Sequence, residues 1–155
     1  MISKDAAKQA ASTFLTAALL LLCGTARFAA AQSGGEVASA QGLDYAFFKA
    51  RVEPIFLKRR TGHARCYICH AESATAFRLE KLPAGADFWT EEQSRKNFQV
   101  VSRLVVPGNP ASSRILNHPL APEAGGDANH NGGRQFENKN DPDWKTLAEW
   151  VGGAK

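Results

Sequence analysis

The sequence predicts an all-α domain, on three observations. Apolar residues recur at three- and four-residue steps in segments that open on helix-capping residues, proline and glycine close those segments, and no βαβ pattern is present. No internal repeat or low-complexity domain interrupts this order.

The first expected helix opens on Asp44, with Tyr45, Phe48, Val52 and Ile55 or Phe56 on one face and Pro54 expected to bend or restart it. A basic stretch follows, Lys58, Arg59, Arg60, His63 and Arg65, with Gly62 as its turn. Residues 71–88 carry no clear period. Phe77, Leu79 and Leu82 suit a short extended piece there, and residues 83–86 a turn. Thr90 and Gln93 form a capping box ahead of Phe98, Val101, Leu104 and Val105, and Pro107-Gly108 is the stop signal. Asn109-Pro110 starts a short helix through Ile115 and Leu116, which Pro119 ends. After a Gly-, Asn- and Asp-rich loop over residues 121–140, Asp141-Pro142 opens the last helix. Trp144, Leu147 and Val151 share its face, and Gly152-Gly153 ends it.

Ahead of this domain, Lys4 and Lys8 precede an apolar run over residues 10–26 and the small residues Ala29, Ala30 and Ala31. That order reads as a secretory signal over residues 1–31, with an uncleaved anchor as the other outcome. Residues 32–42 are a flexible lead-in and residues 43–155 the domain, expected in the periplasm or otherwise outside the cytoplasm, including at a membrane. Residues 32–155 hold 16 basic and 14 acidic side chains, too even a balance to argue for nucleic acid. Cys23 belongs to the signal, because large Leu22 stands where a lipidation signal wants a small residue.

The two remaining cysteines carry the chemistry. Cys66-Tyr67-Ile68-Cys69-His70 is a CxxCH, the attachment motif for haem c. One helical turn presents both thiols to neighbouring vinyl groups of the macrocycle, and the adjacent His70 supplies the proximal imidazole to iron. Two other readings compete. A zinc site of His63, Cys66, Cys69 and His70 places its second histidine poorly, and a thioredoxin-like redox pair lacks its βαβ setting. One covalent haem c is the expected cofactor.

The layout resembles the class I cytochrome c fold. Val52-Glu53-Pro54-Ile55-Phe56, Pro107-Gly108-Asn109-Pro110 with Ser113 and Leu116, and Trp150-Val151 are similar to planctomycete-type cytochrome c domains over most of residues 43–153. The resemblance implies a helical domain wrapped around the haem. It also implies electron transfer, or a haem module of larger exported enzymes.

Most class I cytochromes place a methionine in the loop before the last helix, yet the only methionine here is Met1. The sixth ligand is therefore sought among His63, His118 and His130, all of which also suit an ordinary surface. His130 stands close to where the family's methionine would, and is the expected ligand; His118 is second, and His63 lies on the proximal side. Two further features bear on function. Lys58, Arg59, Arg60 and Arg65 suit a haem propionate or an acidic redox partner, or a plain solvated loop, and Trp89, Trp144 and Trp150 suit the haem pocket or the core. No catalytic triad, phosphate loop or paired carboxylates is present. The expected protein is thus an electron carrier, not an enzyme, exchanging single electrons with redox proteins, among them a membrane electron-transfer complex. An open-iron haem sensor or small-ligand enzyme, or a haem subunit of a respiratory or photosynthetic assembly, is the alternative.

Overall fold

A computed structural model describes residues 42–155. The expected signal and most of the lead-in lie outside the described residues. What is described is helical, with no strand and two isolated bridges, Arg60 with His63 and Leu120 with Phe136.

The first helical stretch joins α1 (Tyr45–Phe47), a π-helical turn (Phe48–Val52) and α2 (Glu53–Leu57). Asp44 caps it, accepting from the Phe47 N–H at 2.6 Å. The α-helix restarts at Glu53, with Pro54 in its first turn, as expected of a proline there. A proline ring clashes with the carbonyl four residues back, and the wider turn, in which the Glu53 N–H reaches the Phe48 carbonyl, accommodates that clash.

The motif folds as α3 (Cys66–His70), a single helical turn. The expected extended piece after it forms no strand. Side chains satisfy its backbone instead: the Glu80 N–H donates to Asn97 Oδ1 at 2.8 Å, the Leu82 N–H to the Tyr67 hydroxyl at 3.0 Å, and Trp89 Nε1 to the Glu80 carbonyl at 2.6 Å. Residues 83–86 close a turn, with the Ala86 N–H on the Pro83 carbonyl at 3.0 Å.

The Thr90/Gln93 capping box opens α4 (Glu91–Ser102), which stops short of Pro107-Gly108. The chain leaves the helix early because the Leu104 carbonyl accepts from the Ile115 N–H at 3.1 Å and Ser113 Oγ accepts from the Val106 N–H at 2.9 Å. Ser113, extended, also splits the next expected helix into a 3₁₀ turn (Pro110–Ser112) and α5 (Arg114–Asn117). The long loop carries a second 3₁₀ turn (Pro122–Ala124) and leads to α6 (Pro142–Val151), capped by Asp141 through the Asp143 and Trp144 N–H groups.

α6 and the first stretch share the core. Trp150 packs on Phe48 and Phe98 with ring centres 5.3 and 6.1 Å away, and its Nε1 donates to the Asp44 carbonyl at 2.9 Å. Its indole therefore ties the end of the chain to the first helix cap. All three tryptophans serve the helical framework and none lines the cavity described next: Trp89 packs edge-on against Tyr67, and Trp144 Nε1 donates to the Leu116 carbonyl at 3.3 Å.

Candidate functional site

α3 forms one wall of a cavity of about 140 Å³ that opens to the surface. Ile55 and Phe56 come from α2, Ile115 from α5, Leu147 from α6 and Phe136 from the long loop, so most of the wall is apolar. Cys66, His70, His118 and His130 face the same space. A groove holding Cys66, Cys69, Arg65, His130 and Gln135 continues from the cavity to the surface.

Each of the three cavity histidines has one ring nitrogen committed. His70 Nδ1 lies 2.8 Å from the Phe77 carbonyl oxygen and His130 Nδ1 lies 2.5 Å from that of Gly133. A carbonyl only accepts, so both Nδ1 atoms carry the proton and both Nε2 atoms keep a free lone pair. The two rings are nearly parallel, 10° apart in plane, with centres 6.3 Å apart. Burial pushes the His70 pKa below its ordinary value and so favours the neutral imidazole, against the hydrogen bond to Phe77, which acts the other way. The sequence reasoning missed Asp127. Its Oδ2 lies 2.7 Å from His118 Nδ1, and only the fold of the loop brings the two together.

The thiols are both free, Cys66 half-buried and Cys69 exposed. Burial pushes the Cys66 thiol up to about 11, the opposite of the low pKa that marks redox-active thiolates. Among the described residues, no three His, Cys, Asp or Glu side chains converge as a metal-ion site, so the zinc tetrahedron of His63, Cys66, Cys69 and His70 does not form. His63 instead lies at the surface beside Arg60 and Lys58, away from the cavity.

Arg60 is neither a cavity residue nor a free charge. It donates to both oxygens of Asp141 at 2.9 and 3.1 Å, to Asp143 and to the Gln135 carbonyl at 3.1 Å, with its guanidinium 4.7 Å over the Phe136 ring. Lys58 pairs with Asp143 at 2.8 Å. These two cations fix the approach to α3 onto the start of α6. Arg59 and Arg65 have no ion pair among the described residues.

Two details bear on whether a haem suits this space. Gln135, 6% exposed, keeps its Oε1 buried without a hydrogen-bond partner at the edge of the groove, an acceptor that a bound group or water would satisfy. Gly132 lies flat against His130, where a Cβ would stand 3.3 Å from Cε1. An apolar cavity with the Cys66 thiol and the His70 and His130 rings on its wall, and Cys69 in the adjoining groove, offers the donor types that hold haem c. No family model, curated protein or solved structure matches this chain.

Proposed function

We propose that this chain is an exported monohaem c-type cytochrome that carries single electrons between redox proteins outside the cytoplasm, membrane-bound complexes among them. Cys66 and Cys69 would hold the macrocycle covalently, and His70 and His130 would hold its iron. One observation carries the reading: the parallel rings of His70 and His130, centres 6.3 Å apart. Two imidazoles on opposite sides of one metal stand about 6–6.5 Å apart between centres, given a metal–nitrogen bond of about 2.0–2.1 Å and about 1.1 Å from nitrogen to ring centre.

When bound, haem supplies a ferrous–ferric couple for one electron. The protein's own contribution is positional. The Phe77 and Gly133 carbonyls hold the two Nδ1 protons, aim the rings and raise their donor strength. The apolar wall of Phe56, Ile115 and Leu147 excludes water, and the groove beside exposed Cys69 is the side from which electrons would pass to a partner. The near-parallel pair of imidazoles supports a carrier over an open-iron sensor.

The test is the ferric spectrum of the purified protein. Low-spin, six-coordinate iron whose ferrous form resists carbon monoxide supports this reading; high-spin iron that binds carbon monoxide readily contradicts it.

A further inference from the structure

Three imidazoles face the cavity, one more than the axial positions of an iron require. The centres of His118 and His130 are 4.8 Å apart, with planes at 66°. With Nδ1 on the Asp127 carboxylate, neutral His118 also presents a free Nε2.

Their mounts differ. His130 is held by its own turn, its carbonyl accepting from the Gly133 N–H at 2.9 Å and its Nδ1 donating back to the Gly133 carbonyl. His118 closes α5, with its N–H on the Arg114 carbonyl at 3.0 Å. Asp127 joins the two segments: Oδ2 accepts from the His118 Nδ1–H, and Oδ1 accepts at 2.9 Å from the N–H of Asn129, the residue before His130. A carboxylate behind an imidazole makes it a stronger donor to a metal than a carbonyl does.

We propose that His118 is a second distal ligand that exchanges with His130 at the sixth position of the iron, an inference that rests on the axial pair proposed above. In the exchange the His130 Nε2–iron bond breaks and a His118 Nε2–iron bond forms. Both Nδ1 protons stay in place, and no electron is gained or lost. Because the carboxylate-backed ring donates more strongly, it favours ferric iron, so the carrier has a higher potential with His130 bound and a lower one with His118 bound.

The test compares holoproteins of full chain length: wild type, His118→Ala, His130→Ala and the double variant, by ferric spin state and equilibrium redox titration near neutral pH. His118→Ala should stay low-spin at a potential above that of wild type, and an unchanged potential would show that no exchange occurs in the intact protein. His130→Ala should also stay low-spin but at a lower potential, and the double variant should turn high-spin. Adding Asp127→Asn to His130→Ala should bring the potential back up. His130→Phe replaces His130→Ala if the latter does not accumulate. A high-spin His130→Ala overturns the proposal, because His118 then does not reach the iron, and a low-spin double variant overturns it by requiring another donor. Wild type that lacks haem or is high-spin removes instead the axial pair on which the inference rests.

Discussion

Arg60 and Asp141 form a two-toothed ion pair, 2.9 and 3.1 Å, that joins the segment before α3 to the cap of α6 across 81 residues of chain. Asp141 also caps the helix, so one carboxylate serves two ends of the site's frame. Arg60→Ala should cost about 2–3 kcal/mol in denaturant unfolding, less than a wholly buried pair because both side chains keep some exposure. A double-mutant cycle with Asp141→Ala should return a coupling of about 1 kcal/mol or more; near-zero coupling would show that the contact is ornamental.

The same pair predicts an acid limb in stability. Burial acts to raise the Asp141 pKa, but hydrogen bonds from Arg60 and the Trp144 N–H outweigh it and hold the carboxyl below its ordinary 3.8. With the folded pKa depressed, the unfolded chain binds more protons in that window. The contribution is therefore present above pH 3.8 and lost as pH falls through the folded value. Unfolding midpoints measured from about pH 4 to about pH 2.5 should fall for wild type and fall less steeply for Asp141→Asn.

Glu53 predicts the opposite slope. It is 6% exposed, and burial raises its pKa above 4.5 despite hydrogen bonds from Ser94 at 2.9 Å and Asn97 at 3.4 Å. A raised folded pKa gives stability that is present below the ordinary value and lost as pH rises through the folded one. Glu53→Gln should flatten the decline between pH 4.5 and neutrality, read by the same midpoints. A variant that keeps the wild-type slope would remove Glu53 as its cause.

Gly126 and Gly132 separate the loop's fold from its ring geometry. A Cβ at Gly126 would stand 1.9 Å from the Leu120 carbonyl oxygen, backbone that cannot swing aside. Gly126→Ala should lose about 2–4 kcal/mol and disturb the segment that carries Asp127 and His130. Gly132→Ala meets only the edge of the His130 ring at 3.3 Å, so stability should change by less than about 1 kcal/mol while the low-spin signal broadens or shifts. Equal stability losses in the two variants would count against this division.

Much of the frame was legible because caps are local. Asp44, the Thr90/Gln93 box and Asp141-Pro142 each satisfy N–H groups within three residues, and the sequence places all of them. The single turn of Cys66–His70 was legible for the same reason. The early end of α4 was not, since Ser113 and Ile115 draw residues 104–106 out of the helix. Nor was the use of Arg60 and Lys58, whose acidic partners lie more than 80 residues on. His130 was expected beside His70 from its place before the last helix. That His118 joins them depends on Asp127 and the folded loop, which leave no signature in spacing.

The account stands on a covalent haem at Cys66 and Cys69, and intact mass under denaturing conditions tests it most directly. The protein, produced in cells competent to export and attach haem, should carry the added mass of one haem, and Cys66→Ala with Cys69→Ala should remove it. A wild-type polypeptide of bare mass, from cells that load another c-type cytochrome in parallel, would contradict the account.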